Sequence, residues 1–202
     1  MYIQTGWLYS FSFCHILHKT LEYIGFSGNI SNVISCISFQ VYISFKTFYI
    51  LMSGNGTAVN VLHNLYGYFL YDLACLVFND YSKNRKMYII HHIVSCIIIN
   101  TLLSSKIGDD FHIMLFVFLS ESPTPFINMR ILLGEYPLLK RLNKKFTKYY
   151  YFICRIVLLP VSAIRFMNNF SAEPQIYISI YVSFFMLYFM SLNWFIVMFN
   201  KL

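Results

Sequence analysis

Charged side chains are scarce in this chain: they make up 11% of its 202 residues, against roughly 25% in an ordinary soluble domain. Too little charge remains to coat a globule in water, and the mean hydropathy is correspondingly high, at +0.59. The same figures exclude a disordered chain, a coiled coil and a collagen. Cysteine is also sparse. The five thiols, Cys14, Cys36, Cys75, Cys96 and Cys154, all lie inside apolar runs with no CxxC pair, so they read as buried thiols, not bridges or metal ligands. No HExxH or HxxxH spacing occurs, and neighbouring histidines on a helix point about 100° apart, so no metal is expected. No basic start and no small-residue cleavage site flank the first apolar stretch, so a cleaved signal peptide is not expected.

What is present is hydrophobicity: 58% apolar and 20% aromatic residues. A helix crosses the hydrocarbon core with about 20 mostly apolar residues. Runs of that kind extend over Ile30 to Leu51, Val61 to Phe78, Met87 to Ser104, Phe111 to Leu133, Thr147 to Met167 and Ile176 to Phe199. An earlier run from Trp7 to Ile24 is weaker, because His15, His18, Lys19 and Glu22 crowd its second half. The pattern predicts an all-α, multi-pass membrane bundle of six spans over residues 30–202, preceded by an interfacial or extra helix within residues 1–29.

Loop charges give an independent count. The loops with Lys83, Arg85 and Lys86, and with Lys140, Arg141, Lys144, Lys145 and Lys148, are basic. They alternate with a neutral loop after Leu51, a loop with Asp109 and Asp110, and one whose only charge is Glu173. Basic loops face the cytosol, so the sequons at Asn55 and Asn169 fall on the luminal side, where glycans can be added. The net charge of +7 therefore reads as a topology signal, with attraction to anionic lipid headgroups as an addition. No nucleic-acid partner is expected.

Ionisable groups inside spans are costly and are functional candidates by default. The second expected span holds His63 and Asp72, the third begins with His91 and His92, the fourth carries Glu121, Asn128 and Arg130, and the fifth Arg155 and Arg165. At 1.5 Å per residue, Asp72 lies about 10 Å, His92 about 8 Å, Asn128 about 8 Å and Arg155 about 12 Å from the cytosolic ends of their spans. Glu121 lies near mid-membrane. A polar pocket in the cytosolic half would let these groups find one another; a purely structural ion-pair network is the alternative. Arg130 and Arg165 read as edge anchors and His63 as an interfacial histidine. Pro123 and Pro125 must break or kink the helix beside Glu121, and Pro160 the fifth span. Irregular backbone at that depth is tolerated where it is buried in protein or lines a cavity.

These positions resemble the TLC-domain family of translocating-chain-associating, ceramide synthase and neuronal-ceroid-lipofuscinosis membrane proteins. The resemblance rests on Gly67 to Asp72 (GYFLYD), the pair His91 and His92, Glu121 to Arg130 (ESPTPFINMR), Arg155 with Pro160, and Leu192 to Phe195 (LNWF). It covers about Ile30 to Lys201 and is strongest toward the small TLC-domain proteins. It implies a six-helix barrel around a lipid-accessible cavity, in the endoplasmic reticulum or a related membrane. For the ceramide synthases it implies N-acyl transfer from acyl-CoA, with the histidine pair at His91 and His92. The family's paired aspartates have no match inside the following helix, where Glu121 stands; Asp109 and Asp110 fall in the luminal loop instead.

Two main readings follow. The first is lipid binding in membrane lipid homeostasis, with a headgroup near Asp72, Glu121, Asn128 and Arg155, membrane lipids as partners and no cofactor. The second is an acyltransferase using acyl-CoA as substrate, with His91 or His92 as general base and the other histidine, with Arg155, stabilising the oxyanion. A cargo receptor or translocon accessory is a third reading without a sorting signal to support it.

Overall fold

The computed structural model describes residues 6–78, 85–105, 110–169 and 174–200. Among them there is no strand. The helices are α1 (Gly6–Tyr23), α2 (Gly28–Ser53), α3 (Ala58–Phe78), α4 (Arg85–Ser104), α5 (Asp110–Glu121), α6 (Thr124–Leu132), α7 (Pro137–Tyr151), α8 (Leu159–Asn169) and α9 (Pro174–Asn200). A π-helical stretch, Phe152–Leu158, joins α7 to α8. Five helical segments are long and apolar enough to cross a membrane: Gly28–Ser53, Ala58–Phe78, Lys86–Ser104, Pro137–Asn168 and Pro174–Val197. Together with the apolar composition, this makes the chain an integral, multi-pass membrane protein. The loop charges at Lys83, Lys106, Asp109, Glu173 and Lys201 lie outside the described residues.

Local chemistry sets the boundaries. The Ser27 hydroxyl accepts from the Ile30 N–H at 3.5 Å and opens α2. Gly54, at φ 66°, closes it by returning its N–H to the Ile50 carbonyl. Proline stands in the first turn of both α6 and α7, where no donor is missed.

The fourth expected span is two helices rather than one. Pro123 and Pro125 supply no N–H to the preceding turn, so α5 ends at Glu121 and α6 restarts at Thr124. In the fifth span the chain stays helical through Pro160. The turn before it widens instead, with the Leu159 N–H reaching back to the Cys154 carbonyl. That widening makes room for the proline ring, which would clash with a carbonyl one ordinary turn earlier.

α2 and α3 run antiparallel, with Asn32 opposite Tyr71 and Gln40 opposite Tyr68. α1 lies parallel to α3. A Cβ on Gly6 would touch His63, Ser10 donates to Asn64 Oδ1 at 3.1 Å, and His18 meets the Tyr71 hydroxyl at 2.7 Å. Where the two helices cross, Gly67 lets the backbones touch; a side chain there would overlap the Trp7 carbonyl. α1 is thus packed as an extra helix on the bundle. Its buried core includes Cys14, Phe39, Ile43, Val61, Tyr68, Met114 and Ile180. The outer faces remain apolar, as with Tyr181, Val182, Phe185 and Phe189 on α9, which suits a bilayer as solvent.

Candidate functional site

Polar side chains meet where α2, α3, α4, α6, the π-helical stretch and α9 converge. They line a cavity of about 250 Å³. Asp72, His91, His92, Glu121, Asn128 and Arg155, the six side chains singled out from sequence, all border this one space.

Asp72 projects from α3, and its Oδ2 lies 2.7 Å from His92 Nε2 on α4. The contact has the distance of an ion pair, but the ring N–H is not aligned on the carboxylate as a hydrogen bond. The other carboxylate oxygen accepts from the Cys36 thiol at 3.4 Å. His92 is 4% exposed, and its Nδ1 has no hydrogen-bond partner among the described residues. The same holds for Nδ1 of His91, whose ring packs edge-on against Trp194, centroids 5.1 Å apart. Two buried imidazole nitrogens, on residues that border the cavity, therefore lack hydrogen-bond partners among the described residues, and an unmade hydrogen bond costs about 1–3 kcal/mol.

A second polar group forms at the break between α5 and α6. Arg155 is 3% exposed. Its Nε donates to the Ser120 carbonyl at 2.7 Å, Nη2 reaches the same carbonyl, and Nη2 also donates to Thr124 Oγ1 at 2.8 Å. Glu121 Oε1 stands 4.0 Å away, and the guanidinium lies over the Tyr151 ring at 5.1 Å. Arg155 thus caps a helix end that the prolines interrupt, and it balances the neighbouring acid. This pair is one part of the ion-pair network considered from sequence for Asp72, His91, His92, Glu121 and Arg155, and both of its residues border the cavity.

Asn128 belongs to a third group. It donates to Gln40 Oε1 at 3.1 Å, and Gln40 donates to the Tyr68 hydroxyl at 2.7 Å. Gln40 was not among the sequence candidates, although a lone amide within the apolar run SFQVY was the available signal. Tyr68, Tyr88, Thr124, Lys144 and Trp194 also border the cavity; the chain holds too many aromatic residues for the sequence to mark Tyr88 or Trp194. Arg130, expected as an edge anchor, borders the cavity too. Arg165 is exposed, and His63 packs beside Gly6, away from the cavity.

Behind Asp72 stands a supporting layer. The Tyr71 hydroxyl donates to Asn32 Oδ1 at 3.1 Å and meets His18 of α1, whose Nε2 lies 3.2 Å from Glu22 Oε1. Among the described residues no group of three or more His, Cys, Asp or Glu is arranged to hold a metal ion.

The family model of the TLC domain matches residues 7–200. The chain belongs to the TLC-domain family. The match takes in α1 as well as the later helices. No curated protein and no solved structure matches the chain. Within this TLC domain, the GYFLYD segment has a use for most of its polar and small residues: Gly67 admits α1, Tyr68 and Tyr71 carry hydrogen bonds, and Asp72 meets His92.

Proposed function

We propose that this TLC-domain protein binds the polar headgroup of a membrane lipid in the cavity and serves membrane lipid homeostasis. The observation that carries the reading is the convergence of Asp72 with His92, and of Glu121 with Arg155, on one cavity. Ionisable groups at membrane depth mark ligand pathways by default, and the two histidines that border the cavity have ring nitrogens without hydrogen-bond partners among the described residues. The headgroup would sit among Asp72, His92, Glu121 and Asn128, in the half of the bundle that loop charges assign to the cytosol. Arg155 would contribute by holding the wall and countering Glu121. The proposed location is the endoplasmic reticulum or a related internal membrane, a reading supported by family membership.

Extraction into native nanodiscs followed by mass spectrometry of tightly held lipid tests this. A specific lipid is expected with the unaltered protein. His92→Ala, by removing one hydrogen bond to a charged partner of about 1.5–3 kcal/mol, is expected to lower its retention roughly ten- to a hundredfold. Equal retention by both proteins would overturn the reading.

One observation favours a second reading, acyl transfer from acyl-CoA to an amine or hydroxyl. A histidine beside a carboxylate, with its second nitrogen unpartnered, is a general-base arrangement. Purified protein given acyl-CoA and a sphingoid amine is then expected to turn over, and His92→Ala to slow it by about 10²–10⁴. Absence of turnover by folded protein that still holds lipid would leave the first reading alone.

A further inference from the structure

α7 has three faces. Asn143, Thr147 and Tyr150 turn toward the bundle: Asn143 donates to the Phe126 carbonyl at 2.8 Å, Thr147 is buried, and the Tyr150 hydroxyl donates to Ser122 Oγ at 2.9 Å. Leu138, Leu142, Phe146 and Tyr149 recur at spacings of three and four and are exposed, so they form one apolar stripe along the outside. Lys140, Arg141 and Lys145, also exposed, share a third face with Lys144 and Lys148. An apolar stripe beside a cationic face is the pattern of a helix that meets a membrane surface.

Chain length fixes where that surface is. Pro137–Asn168 is a continuous helical segment of 32 residues, whereas about 20 cross the hydrocarbon core. About a dozen residues, roughly 18 Å of helix, exceed it. The five cations of α7 make this the end that leaves, so its stripe and basic face rise from the acyl boundary through headgroup level.

We propose that α7 is a docking surface for anionic phospholipid of the cytosolic leaflet. The inner end of the stripe, at Tyr149 and Phe146, meets the acyl boundary, while Lys140, Arg141 and Lys145 bind the phosphate-bearing, negatively charged headgroups above it. Charge complementarity selects this occupant over a second copy of the chain, whose own basic face would repel it. Lys144 stands on the same face and borders the cavity with Arg130, so lipid gathered by α7 is held at the cavity's edge; that last step rests on the cavity reading above.

The test uses the full chain extracted into native nanodiscs from membranes containing phosphatidylcholine and phosphatidylserine. The unaltered protein is expected to retain more phosphatidylserine than the bulk ratio. Lys140→Gln, Arg141→Gln and Lys145→Gln, all at exposed positions, are expected to lower that enrichment by about fivefold per charge until it reaches the bulk ratio. A spin label at Tyr149→Cys, an exposed position at the inner end of the stripe, gives a second readout: in reconstituted membranes it is expected to collide with oxygen more than with a water-soluble nickel chelate. No enrichment, enrichment untouched by the triple variant, or a label cross-linked or dipolar-coupled to a second copy would each overturn the proposal. Repeating the lipid measurement on His92→Ala separates the two readings: lost cavity lipid with preserved enrichment supports both, and preserved cavity lipid with preserved enrichment overturns only the cavity's role.

Discussion

Arg155 illustrates how one side chain can serve both architecture and site. Its planar fork reaches the Ser120 carbonyl and Thr124 Oγ1 together while countering Glu121, a geometry that a lysine ammonium cannot reproduce. Arg155→Ala leaves a buried acid and a buried carbonyl without it, at a cost of about 3–5 kcal/mol. Arg155→Lys keeps the charge and is expected to restore only part of that loss. Cys14, Cys36, Cys75 and Cys154 are buried free thiols, so reaction of a thiol-sensitive dye during heating reads both variants directly. Equal melting of the unaltered and Ala proteins would remove the structural role. At the same scale, Gln40→Leu deletes the link between Tyr68 and Asn128 and strands a buried hydroxyl, for an expected loss of about 1–3 kcal/mol in the same assay. Asp72, His92, Glu121, Asn128 and Arg155 could be picked out because ionisable and amide groups inside apolar runs are conspicuous. Gln40 carried the same kind of signal, as did Asn32 in the same run, and that Arg130 borders the cavity could not be read from its place at a span's edge.

Among the elements, two contacts decide the arrangement of the bundle. The first is the crossing of α1 on α3 at Gly67. Gly67→Val is expected to push α1 away, costing about 1–3 kcal/mol as overpacking does, whereas Gly134→Ala, whose Cβ would meet the Ile131 carbonyl at 3.4 Å, is a milder control. Comparable melting of the two variants would show that the close approach is not needed. The second is the interruption between α5 and α6. Replacing Pro123 and Pro125 together by alanine restores two backbone donors. The helix is then expected to continue, far-ultraviolet circular dichroism to rise, and lipid retention to fall as Arg155 loses the Ser120 carbonyl. Proline positions made the interruption legible; that Arg130 joins Asn128 at the cavity was not, since it depends on how α6 packs against α2 and α7.

For the whole molecule, the arrangement is that of a protein whose solvent is lipid: apolar residues cover the outside and the inside holds polar clusters. The loop charges then demand one orientation. In a glycosylating compartment, Asn55, exposed in the loop after α2, is expected to acquire a glycan that Asn55→Gln abolishes. A cysteine placed at Lys145 is expected to react with an impermeant reagent applied from the cytosol. Both outcomes must hold in the same preparation; a luminal Lys145 would reverse the topology on which the placement of the cavity depends.

The membrane class, the helical composition and the approximate spans could be read from sequence alone, because bilayer thickness converts the length of an apolar run into a structural statement without reference to any other part of the chain. Loop charge sets the expected orientation, which the glycan and labelling experiments test. Convergence could not be read this way. Whether His92 meets Asp72, whether Gln40 bridges Tyr68 to Asn128, and whether Trp194 closes on His91 depend on the rotation of each helix about its axis. Those rotations come from packing between residues far apart in the chain, such as Trp7 against Gly67, and only the tertiary structure holds that information.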